Sequence, residues 1–356
     1  MTEGRGAAKR PAPLRLADLF ASLLPKAPTV TEHFNNLIAQ FWPTTIDGIV
    51  KGAIYALIAL GYTMVYGVLR LINFAHSEIF MTGTVAALVV VTTLVAPSAG
   101  MVTGIGLVGL LLLMAVVSMA ASGGMAVLLE QIAYRPLRKH GSSRLAALIS
   151  AIGASLFLME FFALIVIPWL FDRGGQGRNQ IAMARFLERE EVFKIFGASV
   201  TNNDLLVLAS ALLMMFLLDM LVNRTKIGRG IRATAMDPTT AVLMGVNIDR
   251  IVRITFMVGG AMAGIAGMLF LLKYENTRYN IGFILGIKAF TAAVLGGIGN
   301  IRGALVGGFV LGLVENYGGA FFGGQWLNVV AFVVLVLVLM FRPTGILGES
   351  IQQARA

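Results

Sequence analysis

Few side chains in this chain are equipped for chemistry, and most of them lie within or beside long apolar runs. Lys288 sits five residues into the apolar segment that begins at Phe283, and Glu315 and Asn316 stand near the end of the next one. An ionisable group at membrane depth is costly and by default functional, whereas a lysine close to a membrane face can extend its ammonium to water. Both readings of Lys288 are open on the sequence, with Glu315 and Asn316 as candidate partners. Glu160, inside another apolar run, reads as a further buried acid, neutralised or turned to the interior of a bundle. A polar group, Asn73-Phe74-Ala75-His76-Ser77-Glu78, separates two apolar runs. Such side chains commonly satisfy exposed backbone at a helix end, and a place beside a permeation path is the alternative.

Other chemistries are excluded by what is missing. Zero cysteines remove thiol catalysis, disulfides and thiolate zinc sites. The remaining histidines, His33 and His140, are too scattered to suggest a metal or catalytic triad. No GxxxxGK[ST] occurs, so the chain has no P-loop of its own and is not an ATPase. Gly104, Gly106 and Gly109 spell GxGxxG, yet they open an unbroken apolar run without the strand and the acidic ribose ligand of a dinucleotide site. No cofactor, metal or catalytic residue is expected.

The elements that position these residues are transmembrane helices. Of 356 residues, 57% are hydrophobic and 13% charged, against about 25% charged in a soluble domain. A span needs about 20 apolar residues, and candidates run over 46–69, 75–96, 102–133, 145–170, 204–222, 251–273, 283–300, 303–322 and 325–341. The third is too long for one straight crossing. The pair at 283–300 and 303–322 is short and glycine-rich, either two full spans or broken, partly re-entrant helices. The expectation is an all-α integral membrane bundle with eight or nine crossings. Glycines spaced by four, Gly48/Gly52, Gly260/Gly264, Gly303/Gly307 and Gly308/Gly312, place small faces where helix backbones meet, and Gly296 and Gly297 are grouped with them.

The net charge of +10 sits in short connections, where basic residues set membrane orientation rather than bind nucleic acid. The loop 134–144 carries Arg135, Arg138, Lys139 and Arg144 without an acid, and 223–253 carries six arginines or lysines against two aspartates. Both belong inside. The stretch 171–203 is nearly balanced and belongs outside, which places the N-terminus outside despite its basic residues. Residues 1–44 read as a flexible or interfacial leader with an amphipathic piece around Leu14–Leu24, residues 45–348 as the permeating domain, and 349–356 as a tail.

The informative connection is 223–250. Asp237 before Pro238 reads as an N-cap followed by proline in the first helical turn, and the helix after it offers Ala241, Val242, Met244 and Gly245 as a small apolar face suited to a partner's groove. An amphipathic connector lying on the bilayer is the bland alternative.

Three separated stretches, GAIYALIALGYTMVYGVLRLINFAHSEIFMTG, IRATAMDPTTAVLMGVNIDRI and GIKAFTAAVLGGIGNIRGALVGGFVLGLVEN, resemble the permease subunits of bacterial ABC importers for branched-chain amino acids. Ser77 stands where that family usually has glycine. The resemblance implies a multi-pass protein of the bacterial inner membrane that takes leucine, isoleucine or valine from a periplasmic binding protein. It further implies a second homologous permease and two cytoplasmic ABC ATPases as partners. The stretch Arg232–Val246 then becomes the ATPase-coupling segment, with Asp237 and Pro238 starting it and Ala241 and Gly245 permitting close docking. Tyr62, Tyr66, Asn73 and His76, with Lys288 and Glu315, are the candidates for the translocation path. Related permeases serve urea, short amides and other amino acids, and an ion or small-solute channel is the rival of another class.

Overall fold

Apolar runs of span length become helices because hydrocarbon offers no partner to a free backbone N–H or C=O. The computed structural model describes residues 35, 37–95, 101–171, 177–342 and 344–348. The amphipathic piece around Leu14–Leu24 and the tail 349–356 lie outside the described residues. In chain order the helices are α1 (Phe41–Leu69), α2 (His76–Leu94), α3 (Gly104–Lys139), α4 (Leu145–Phe171) and α5 (Asn202–Arg224). Two short ones follow, α6 (Lys226–Met236) and α7 (Pro238–Leu243). Then come α8 (Ile248–Tyr274), α9 (Ile281–Gly296), α10 (Ile301–Phe322) and α11 (Gly324–Phe341).

Eight of these are long and apolar enough to cross a membrane among the described residues, and α9 is not. Its 16 residues span about 24 Å at 1.5 Å per residue, short of a hydrocarbon core of about 30 Å. Of the glycine-rich pair, therefore, only α10 has full span length. The third apolar run continues as helix through Lys139, so the expected loop 134–144 shrinks to its last residues. Glu130–Tyr134 form a π-turn within it, a feature often found where a helix carries function.

Helix α1 is the hub, buried along most of its length and packed on α2, α5, α8, α9 and α10. Glycine sets how closely these helices approach. A Cβ at Gly52 would lie 2.8 Å from Phe309 Cα, and one at Gly308 would lie 2.5 Å from Ala56 Cα, so the α1 and α10 backbones touch. On α8, Gly260 and Gly264 face Ser118, Ser122 and Ala126 of α3. There the hydroxyl of Ser122 donates to the Ile79 carbonyl (2.9 Å) and that of Ser118 to the Gly83 carbonyl (3.1 Å), tying α3 to α2. Gly296, Gly303 and Gly307 meet where α9 turns into α10. Gly297 is outside either helix, capping α9 at φ +109°. Gly264→Val is expected to cost about 1–3 kcal/mol through overpacking against α3, read as a lower midpoint of thermal unfolding in detergent. An unchanged midpoint would contradict this contact.

The two ends of the bundle differ. At the basic end lie α6, α7 and the Arg135–Lys139 end of α3, and Arg70 donates to the Ala235 carbonyl at 2.8 Å. The far end holds the starts of α1 and α5, the end of α8 and two small antiparallel sheets, which were not legible in the charge-balanced stretch 171–203. β1 (Ile181–Ala182) pairs with β4 (Asn276–Thr277), and β2 (Glu191–Ile195) pairs with β3 (Ala198–Thr201). The β2–β3 turn is Phe196-Gly197, both at positive φ, as tight two-residue hairpins require.

Candidate functional site

Among the described residues, three polar assemblies hold the candidate residues of the helix interior. The first centres on Glu315 of α10, which is fully buried. Its Oε1 accepts from Lys51 Nζ of α1 and from Lys288 Nζ of α9, each at 2.8 Å, while Tyr55 donates its hydroxyl to Oε2 at 2.8 Å. Lys288 is thus a buried ion-pair partner and does not snorkel; its side chain is 8% exposed. Asn316 turns elsewhere, donating to the Thr44 carbonyl at 3.5 Å. Lys51 escaped notice in the sequence although it stands inside the first apolar run, the same signal that marked Lys288. Glu160 is not the buried acid expected: its side chain is 40% exposed, since α4 has few helical neighbours, and it is neutralised by Arg178 at 2.6 Å rather than turned to the bundle interior.

The second assembly occupies the break between α1 and α2. Arg70 ends α1 in the left-handed conformation, and the chain re-enters at His76. The His76 ring is buried against Tyr62, centroids 4.7 Å apart. It fits because residue 61 is glycine; a Cβ there would collide with the imidazole. His76 does not cap the helix: the cap is Ala75, and no side chain bonds the first-turn N–H groups. Ser77 does serve the backbone, donating to the Phe74 carbonyl at 2.8 Å. The fully buried Glu78 accepts from Ser77 and from Ser155 of α4, both at 3.2 Å. Beside these groups a cleft of about 190 Å³, mostly apolar, is lined by Tyr62, Ser77, Ser155, Phe283 and Ile287 among others. The start of α9 closes against it, with Gly282 on the Ser77 carbonyl and Gly286 near the Tyr62 hydroxyl.

The third assembly runs from that break to the basic end. Tyr134 donates to Asn73 Oδ1 at 2.9 Å. One turn back on the π-turn, buried Glu130 accepts from Arg138 at 3.0 Å, and Arg138 also holds Asp249 of α8 at 2.6 Å. Asn73 is thereby tied to α3 rather than turned toward the cleft. Tyr66 is half-buried, and its carbonyl receives the Arg70 N–H. Removing the hydroxyl in Tyr134→Phe strands a buried amide oxygen and is expected to cost about 1–3 kcal/mol. A thermal melt of the purified variant reads this, and an identical melt would contradict the bond's weight.

At the basic end, Asp237 caps α7, accepting from the Thr239 N–H at 2.9 Å and from the Thr240 hydroxyl. The Thr240 contacts, with the Thr239 amide, hold its carboxyl below the usual carboxylate range. Pro238 is the first helical residue. Gly245 at φ +82° ends the helix, with Val246 N–H on the Ala241 carbonyl (3.0 Å) and Gly245 N–H on the Val242 carbonyl (2.9 Å), a Schellman stop. Two coupling candidates are placed otherwise than the sequence suggested. Ala241 is buried against its own chain, since it lies on the inward side of the single turn and a half. Arg232 is engaged with the Val222 carbonyl and Asn223, satisfying the end of α5. Val242 and Met244 do face outward as the sequence suggested, joined by Met236 and Leu243; Met236, Leu243 and Met244 are each at least 80% exposed.

A bundle of helices long and apolar enough to cross a membrane, with interior ion pairs, a cleft beside the α1–α2 break and an apolar knob on its basic end, is that of a polytopic membrane protein. Among the described residues no group of His, Cys, Asp or Glu is arranged to hold a metal. The family described as branched-chain amino acid transport system / permease component matches residues 44–339. The high-affinity branched-chain amino acid transport system permease protein BraD of Pseudomonas aeruginosa is 41% identical over 88% of this chain and 97% of its own. LivH, of the same description, is 40% identical in Escherichia coli K12, over 90% of this chain and 98% of its own, and 39% identical in Salmonella typhimurium over the same shares. The chain belongs to this permease family.

Proposed function

We propose that this chain is one of two membrane permeases in an ATP-driven importer of leucine, isoleucine and valine, embedded in the bacterial inner membrane with its basic end in the cytoplasm. The observation that carries the reading is identity near 40% along nearly the whole length of BraD and LivH. A periplasmic binding protein delivers the amino acid, a second permease completes the conduit, and two cytoplasmic ABC ATPases supply the energy. This chain is then a transporter subunit without catalysis of its own.

The α6–α7 segment, ending in Met236, Leu243 and Met244, is the lever on which the ATPases act. Large exposed apolar side chains on a short capped helix suit a groove in a partner. Their motion reaches the interior through α8, which follows α7 after a four-residue link, and through the Asp249–Arg138–Glu130 pairs to the α1–α2 break. Alternating access then opens the cleft at Tyr62 to one side and the other, with His76 packed behind that ring; of the path candidates, Asn73 serves by positioning that break. Reconstitution with the two ATPases, the second permease and the binding protein tests the reading. Leucine uptake that requires ATP supports it, and uptake through this chain without ATPases defeats it.

A further inference from the structure

At the far end of the bundle, a cavity of about 280 Å³ opens between the start of α1, the start of α5, the β2–β3 hairpin and the end of α8. Its wall carries charge of both signs. Lys273 is held by Asp204 at 2.5 Å and Asp47 at 3.1 Å, which leaves one ammonium N–H of three uncommitted. Arg189 is ion-paired with Glu275 (3.0 Å) and donates to the Lys273 carbonyl (2.7 Å), with further guanidinium donors to spare. The Asp47 side chain is 63% exposed. Asn203 is 3% exposed, and its amide oxygen has no hydrogen-bond partner, although buried polar atoms nearly always have one. Ile46 and Pro43 add an apolar patch to the same wall.

We infer that this cavity is a receiving site for a zwitterionic α-amino acid. The inference rests on the importer reading above and adds a ligand site to it. The carboxylate would be taken by Arg189 and Lys273, the ammonium by Asp47 and the Asn203 amide oxygen, and a branched side chain by Ile46 and Pro43. The volume suits one small molecule and is too small for a folded partner. The geometry also gives the site an exit: Lys51 follows Asp47 by four residues on α1, so one helix face leads from the cavity to the Lys51–Glu315–Lys288 cluster.

The test uses the complete importer in nanodiscs, without ATP and without the binding protein, and measures saturable binding of radiolabelled leucine. Binding should weaken at least tenfold in Asp47→Asn and in Ser199→Trp, which fills the cavity from the exposed hairpin without changing charge. Isoamylamine, lacking the carboxylate, and 4-methylpentanoate, lacking the ammonium, should each fail to displace leucine. Absence of saturable binding, or binding indifferent to both substitutions, would overturn the site. So would variants that lose only docking of the binding protein. Uptake by the wild-type importer with its binding protein separates the two claims: import with no cavity binding sinks this inference alone, and no leucine import sinks the importer reading.

Discussion

Glu315→Ala is expected to cost the fold about 3–5 kcal/mol, the range for removing one partner of a buried ion pair. Two ammoniums, Lys51 and Lys288, share a single carboxylate oxygen 2.8 Å away. Without Glu315 they face each other in a medium where like charges repel strongly, and Tyr55 loses its acceptor. Lys51→Met makes the informative contrast. It leaves the Lys288–Glu315 pair intact and removes the cation in excess of that pair, so stability should hold or rise. Thermal unfolding of both variants in the same detergent reads the difference. Equal melting of Glu315→Ala and wild type would mean that the cluster contributes nothing to packing α1, α9 and α10.

The second large effect concerns coupling. Leu243→Asp with Met244→Asp leaves the Asp237 cap and the Gly245 stop of α7 untouched, and both side chains already face solvent in this chain. The permease should fold normally. If these residues seat in an ATPase groove, each loss is worth about 2 kcal/mol, the threshold of an interface hot spot, and each factor of ten in affinity is about 1.4 kcal/mol. Uptake should fall well over tenfold while basal ATP hydrolysis persists, measured side by side in proteoliposomes. Wild-type uptake in the double variant would remove the lever from the mechanism.

Much of this architecture was readable in the residues because membranes leave the backbone so few choices. The apolar runs at 46–69, 75–96 and 251–273 became α1, α2 and α8 with shifts of a few residues, and Asp237-Pro238 caps α7 as its side-chain chemistry dictates. What escaped depended on which way a residue turns. Ala241 looked like docking surface, yet a helix of six residues has only one buried side and Ala241 is on it. Glu160 looked buried because its run is apolar, but α4 is a peripheral helix and hydropathy cannot tell lipid or solvent from protein. The β2–β3 hairpin hid in a stretch read only for charge, although Phe196-Gly197 between Glu191–Ile195 and Ala198–Thr201 has the length of a two-residue turn. Lys51 and Glu78 were visible as charges in or beside spans, and only the tertiary arrangement gives Lys51 the same carboxylate as Lys288, 237 positions away.

Coupling requires that a separate ATPase grip the basic end. The chain has no cysteine, so Leu243→Cys provides a single thiol on it at the tip of α7. In the assembled importer, a short bifunctional thiol reagent should join that position to the cytoplasmic ATPase subunit, and membrane-impermeant maleimide added outside spheroplasts should leave it unlabelled. Labelling from the outside, or no cross-link to the ATPase in a complex that imports leucine, would contradict the account.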